Sequence, residues 1–179
     1  MALTATIYNF EVDLADADRH RYETLVVRMA RHPSESEEYL VARLLAYCLE
    51  YTDGIVFSNG LSDPDEPPVS VRDLTGAVRV WVDIGSPDAS RLHRASKSAD
   101  RVVVYTHKDP TQWLRQVSSE RIHRAAEIEI VSFDRSLIAS LVERLARRTA
   151  LTVSVADRHV HVAIDDVVLE GELKRHALA

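Results

Sequence analysis

Apolar and polar residues alternate along residues 3–14 and again along 21–29, with Ala15, Asp16, Ala17 and Asp18 between them. That pattern predicts two strands joined by a turn. The period then changes. Ser34 and Glu37 have capping-box spacing, in which a serine hydroxyl accepts from a first-turn amide and the glutamate reaches back. Val41, Leu44, Leu45 and Cys48 follow at helical spacing, which predicts a helix over 34–51, with Glu35 as a first-turn acid. Short strands are expected at 54–58, 69–72 and 77–84, the last two joined by a turn through Asp73, Leu74, Thr75 and Gly76.

Ser86, Pro87 and Asp88 predict a helix start with a serine cap, and Leu92, Ala95 and Ala99 supply its apolar face. The unbroken run Val102-Val103-Val104-Tyr105 reads as a central strand covered on both faces. A helix over 111–118, a strand over 128–133 and a helix over 135–148 follow. Strands at 151–155, 160–164 and 167–169 close the chain and are expected to extend the sheet. The order is mixed α/β.

Composition narrows the classes. With 179 residues the chain fits one domain, and a single cysteine excludes a disulfide framework or a cysteine-rich zinc cluster. No stretch approaches the roughly 20 apolar residues of a membrane helix, and the start lacks the basic flank and apolar run of a signal peptide. A cytoplasmic protein without a membrane partner is the expectation. The charge of −6, from 22 Lys and Arg against 28 Asp and Glu, argues against a wholly basic nucleic-acid-binding surface but leaves room for a local groove.

Asp83 ends an otherwise apolar strand, where a charge needs solvent or a partner. If Leu74 and Thr75 are the centre of the hairpin, Glu66 pairs opposite Asp83, and a one-residue slip puts Asp65 there. Glu38 lies on the shoulder of the first helix's apolar face. Carboxylates gathered at a sheet edge can hold Mg²⁺ or Mn²⁺, which offsets their repulsion and lowers the pKa of a bound water. Arg72, Arg79, Arg91, Arg94 and Arg101 could line a phosphate track or be ordinary solvated charge. His159 and His161 share one strand face, which reads as a wetted hairpin rather than a metal site.

Several blocks carry a family resemblance. They are Ala30 to Glu35, Gly60-Leu61, Asp65-Glu66-Pro67, Asp73, Thr75 and Gly76, then Val80 to Gly85 leading into Pro87-Asp88, Arg91 and Ala95. In this order and spacing they resemble the YaeQ family of bacterial proteins over nearly the whole chain. The resemblance implies a compact PD-(D/E)xK nuclease-like fold, with a mixed central sheet flanked by helices and extra strands in one domain, residues 1–179. It implies Glu38, Asp65 and Asp83 as metal-binding catalytic acids, with Glu66 assisting. The lysine expected two residues after Asp83 is replaced by Gly85. A lysine can migrate to the following helix, where this chain has Arg94, with Lys97 as the nearest lysine. Arginine clamps phosphate but is a poor base at neutral pH.

Two readings result. One is a divalent-metal-dependent phosphodiesterase acting on DNA or RNA, with Arg94 or Lys97 on the phosphate. The other is a catalytically silent regulatory or protein-interaction module on the same scaffold. The family's link to a transcription elongation factor phenotype implies a protein partner in the transcription machinery.

Overall fold

A computed structural model describes residues 4–58 and 65–178. Gly60 and Leu61, two of the residues that carry the family resemblance, lie outside the described residues. The described chain forms two compact units, one built from residues 1–49 and 133–173, the other from residues 50–132 and 174–179. Among the described residues, no helix is long and apolar enough to cross a membrane.

The first unit begins with β1 (Thr6–Asp16) and β2 (Arg21–Arg31), an antiparallel pair in uninterrupted register. Alternation puts Phe10, Val12 and Leu14 of β1 and Leu25, Val27 and Met29 of β2 on one buried face. The helix α1 (Glu37–Leu49) starts later than its capping pattern predicts. Its cap is Ser36, whose Oγ accepts from the Tyr39 N–H at 3.1 Å, whereas Ser34 bonds to His32 Nδ1 at 2.7 Å. Glu35 therefore precedes the helix. It is buried against Arg43 at 3.3 Å, and burial pushes its carboxyl up.

The second unit starts with β3 (Ile55–Phe57), β4 (Val69–Arg72) and β5 (Val78–Ile84). Then come α2 (Ala89–Ser98), β6 (Arg101–Thr106), α3 (Thr111–Ser118) and β7 (Glu129–Ser132). The chain next returns to the first unit with α4 (Arg135–Glu143), β8 (Arg148–Ala156), β9 (His159–Ile164) and β10 (Val167–Glu172). It ends in the second unit with β11 (Lys174–His176), which periodicity did not reveal. The predicted long helix over 135–148 is shorter than expected because its last residues give way to β8.

The closing strands do not extend the central sheet. They join β1 and β2 in a five-stranded sheet of order β10-β9-β8-β1-β2, in which β8 runs parallel to β1. Val41, Leu44 and Leu45 of α1 and Leu141 of α4 meet Phe10, Leu151 and Ile164 over this sheet. Asp18, in the β1–β2 turn, accepts the backbone N–H groups of Asp157 and Arg158 at 2.8 and 3.0 Å. It thereby ties that turn to the left-handed β8–β9 turn.

The second unit holds a six-stranded sheet of order β11-β7-β6-β5-β4-β3, with β5, β6 and β7 parallel. Helices α2 and α3 cover one face. Trp81, Val102, Val104 and Ile130 from the strands pack with Leu92, Ala95, Trp113 and Val117. The Trp113 indole N–H donates to the Pro87 carbonyl at 2.7 Å.

Cys48 is fully buried on the apolar side of α1, which pushes its thiol up to about 12. The native protein should therefore leave a chromogenic thiol reagent unreacted at pH 8, with one thiol appearing only on addition of denaturant. Rapid native reaction would contradict this placement.

Candidate functional site

The site is built where β5 hands the chain to α2. Trp81 and Asp83 alternate onto the face that α2 covers, so β5 aims a carboxylate under the helix instead of into water. Asp83 is 2% exposed. The helix that follows is capped by Asp88, not Ser86: its Oδ1 accepts from the Arg91 N–H at 2.8 Å. Arg91 then stands in the first turn, above the end of the strand.

Its guanidinium closes the site. Arg91 Nε lies 3.0 Å from both carboxylate oxygens of Asp83, and a terminal nitrogen donates to the Glu66 carbonyl at 3.0 Å. The guanidinium carbon is 5.4 Å from the centre of the Trp81 ring, within cation–π range. Burial pushes the Asp83 carboxyl up, and the Arg91 charge and the Trp81 indole N–H pull it back without cancelling the rise. That indole N–H is buried and completes no hydrogen bond of ordinary geometry.

The hairpin register differs from the expected one. Val69 pairs with Val82, which puts Pro68 opposite Asp83 in place of Glu66 or Asp65. The turn is wider than two residues: Asp73 N–H bonds to the Ala77 carbonyl, and Arg72 pairs with Val78. A bulge between Val71 and Arg72 adds a second step of slip. Asp73 is the turn residue its position suggested. Its Oδ1 accepts from the N–H groups of Thr75 and Ala77 and from the Thr75 hydroxyl.

The other expected residues fall as follows. Glu66 reaches the site through its backbone carbonyl. Asp65 is exposed and lies 3.8 Å from Arg94 Nε. Lys97 is exposed on α2. Glu38 is exposed in the first turn of α1 and belongs to the first unit, whereas Asp65, Glu66 and Asp83 belong to the second. As arranged, Asp83 does not suit a divalent metal, because both its oxygens already accept from a fixed cation. Among the described residues, no group of three or more His, Cys, Asp or Glu side chains is placed to hold a metal ion.

Sequence reasoning grouped Arg91 with a phosphate track and missed its partner. A signal was present: in a strand–helix–parallel strand unit, the helix's first turn sits over the strand's carboxyl end, so an arginine there meets an acid that closes the strand. The other arginines of the track are also paired. Arg79 bonds Asp73 and Asp100, and Arg72 donates to the Gly76 carbonyl. Arg101 bonds Glu129 and, at 2.6 Å, Glu50. Tyr105 adds its hydroxyl to Glu50 at 2.6 Å, and burial, then the charge of Glu50, raises the phenol well above its ordinary range. His161 pairs with Glu170 across the β9–β10 hairpin at 3.2 Å, in keeping with a wetted face.

A family model described as YaeQ protein matches residues 1–173. The chain belongs to the YaeQ family. It is 31% identical to the YaeQ protein of Escherichia coli K12 over 176 residues, covering 97% of this chain and 96% of that one. The Salmonella typhi YaeQ protein is 32% identical over 159 residues, 88% of this chain and 87% of its relative. Among solved structures, the YaeQ protein from Pseudomonas syringae superposes with a TM-score of 0.88 at 31% identity, over 96% of this chain and 95% of the other. The YaeQ protein from Xanthomonas axonopodis pv. citri gives 0.88 at 30% identity, over 97% and 99%.

In this YaeQ-family chain, Gly85 takes φ +89° while its N–H bonds the Tyr105 carbonyl at 2.9 Å. A residue with a side chain is strained in that left-handed conformation, by about 1–2 kcal/mol, which accounts for the glycine at this position.

Replacing Arg91 by Met should strand the Asp83 charge and cost about 3 kcal/mol at pH 7. The folded carboxyl then rises further above its ordinary 3.8, so in the pH range above 3.8 the folded state holds a proton that the unfolded chain releases. The deficit relative to the parent should therefore shrink as pH falls from 7 toward 5. Urea unfolding at both values checks this, and a pH-independent deficit would refute it.

Proposed function

We propose that this chain is a catalytically silent regulatory module on a restriction-endonuclease-like scaffold, and that it acts by binding a protein partner. The observation that carries the reading is the neutralised Asp83. A guanidinium cannot leave by losing its proton at any ordinary pH. For a divalent cation to take Asp83, the Arg91 pair must break beside a buried carboxylate. At about 3 kcal/mol that weakens metal binding on the order of a hundredfold.

The left-handed Gly85 supports the same reading, because the backbone two residues after Asp83 disfavours the lysine of an active nuclease. The partner class follows from charge. Arg79, Arg91, Arg94 and Arg101 each face a carboxylate of their own chain, so these arginines of the track are less available to release counterions from a phosphate backbone. With a net charge of −6, a protein surface is a better match than a nucleic acid. The family's link to a transcription phenotype suggests where to look for that partner.

The test has two arms. Tagged protein incubated in native lysate should retain the same protein partner with and without nuclease treatment, and calorimetry should register no Mn²⁺ or Mg²⁺ binding near 1 mM metal, where weak carboxylate sites bind. Metal-dependent cleavage of DNA or RNA that disappears in Asp83→Asn would overturn the proposal in favour of a phosphodiesterase. Reproducible recovery of nucleic acid with no protein would do the same for the partner class.

A further inference from the structure

Among the described residues the first unit's sheet ends at β2, and one edge of that strand is open. The Asn9 N–H donates to the Arg147 carbonyl, so odd-numbered residues of β1 turn toward β8 and even-numbered ones toward β2. Phe10 pairs with Val27, so odd-numbered residues of β2 close the β1–β2 ladder. The even-numbered residues Tyr22, Thr24, Val26, Arg28 and Ala30 point their N–H and C=O groups away from the sheet. All five are exposed, Val26 by 84%. The Ala30 carbonyl accepts from Arg43 at 2.8 Å. The edge has no proline, and its register with β1 has no bulge, so two common guards against edge pairing are absent.

We propose that β2 is a homodimerisation edge, at which two copies of this chain pair antiparallel with Tyr22 opposite Arg28 and Thr24 opposite Val26. That register brings the eight outward backbone groups of Tyr22, Thr24, Val26 and Arg28 on each copy against those of the other. It ends before Ala30, whose carbonyl is already used. Side chains agree with the backbone. On the open face each Arg28 guanidinium meets a Tyr22 ring, and each Val26 meets a β-branched Thr24. On the other face Leu25 meets its own copy at the two-fold axis. The opposite edge of the sheet is a poorer candidate, since β10 presents exposed Glu170 and Glu172. The proposal is independent of the Asp83 reading.

Light scattering and sedimentation of the intact chain at about 100 µM, where modest interfaces associate, should give twice the chain mass. Val26→Pro removes an outward N–H without touching the β1 ladder, so it should weaken the dimer at least tenfold while the far-ultraviolet spectrum stays unchanged. Two double variants guard against a folding defect. Thr24→Glu with Val26→Glu, and Thr24→Lys with Val26→Lys, each oppose like charges across the axis and should be monomeric alone. Mixed one to one they should recover the dimer. A monomeric parent at that concentration, a folded and dimeric Val26→Pro, or a mixture that stays monomeric would each overturn the proposal.

Discussion

A guanidinium that holds its proton at every accessible pH lies against the one carboxylate that β5 buries, and much of the second unit is arranged around that fact. Asp83 cannot stay charged under α2 without a cation, and Arg91 reaches it from the first turn of the helix that Asp88 caps. The same side chain holds the Glu66 carbonyl and lies over Trp81, so one residue joins the end of β5, the first turn of α2 and the segment entering β4. The pair is no large source of stability in itself, because desolvation offsets most of the attraction. Its consequence is specificity: other placements of the helix leave a charge buried alone.

The rest of the unit repeats this economy of charge. Arg101 stands between Glu50 and Glu129, and Arg79 between Asp73 and Asp100. Arginines that look like a phosphate track along the sequence become internal counterions once strands and helices fix their neighbours. The first unit differs. Its sheet is organised by alternation, with apolar residues under α1 and α4, and the backbone groups of the even-numbered β2 residues face outward along its edge.

Much of this was legible in the residues. Alternation located β1, β2 and the closing strands, and α3 has the bounds its pattern suggested. The family blocks around Asp83 pointed at the junction of β5 and α2, where Asp83 meets Arg91. The partner of Asp83 was not legible by wheel or motif, because Arg91 faces it across a change of element. The hairpin register also escaped, since a wider turn and a bulge each moved the pairing by one residue without leaving a mark on the apolar pattern.

By itself, then, the sequence determined where most strands and helices lie, which faces are apolar, that Cys48 belongs to an apolar face, and which family the chain resembles. These follow from short-range periodicity and local order, which each segment carries alone. The tertiary structure alone decided that the closing strands join β1 instead of the central sheet, that Asn9 lies beside Arg148, and that Asp83 holds a guanidinium. Those outcomes depend on strand order and on charges far apart in the chain. Many pairings can satisfy the same alternation, and only packing the whole chain selects one.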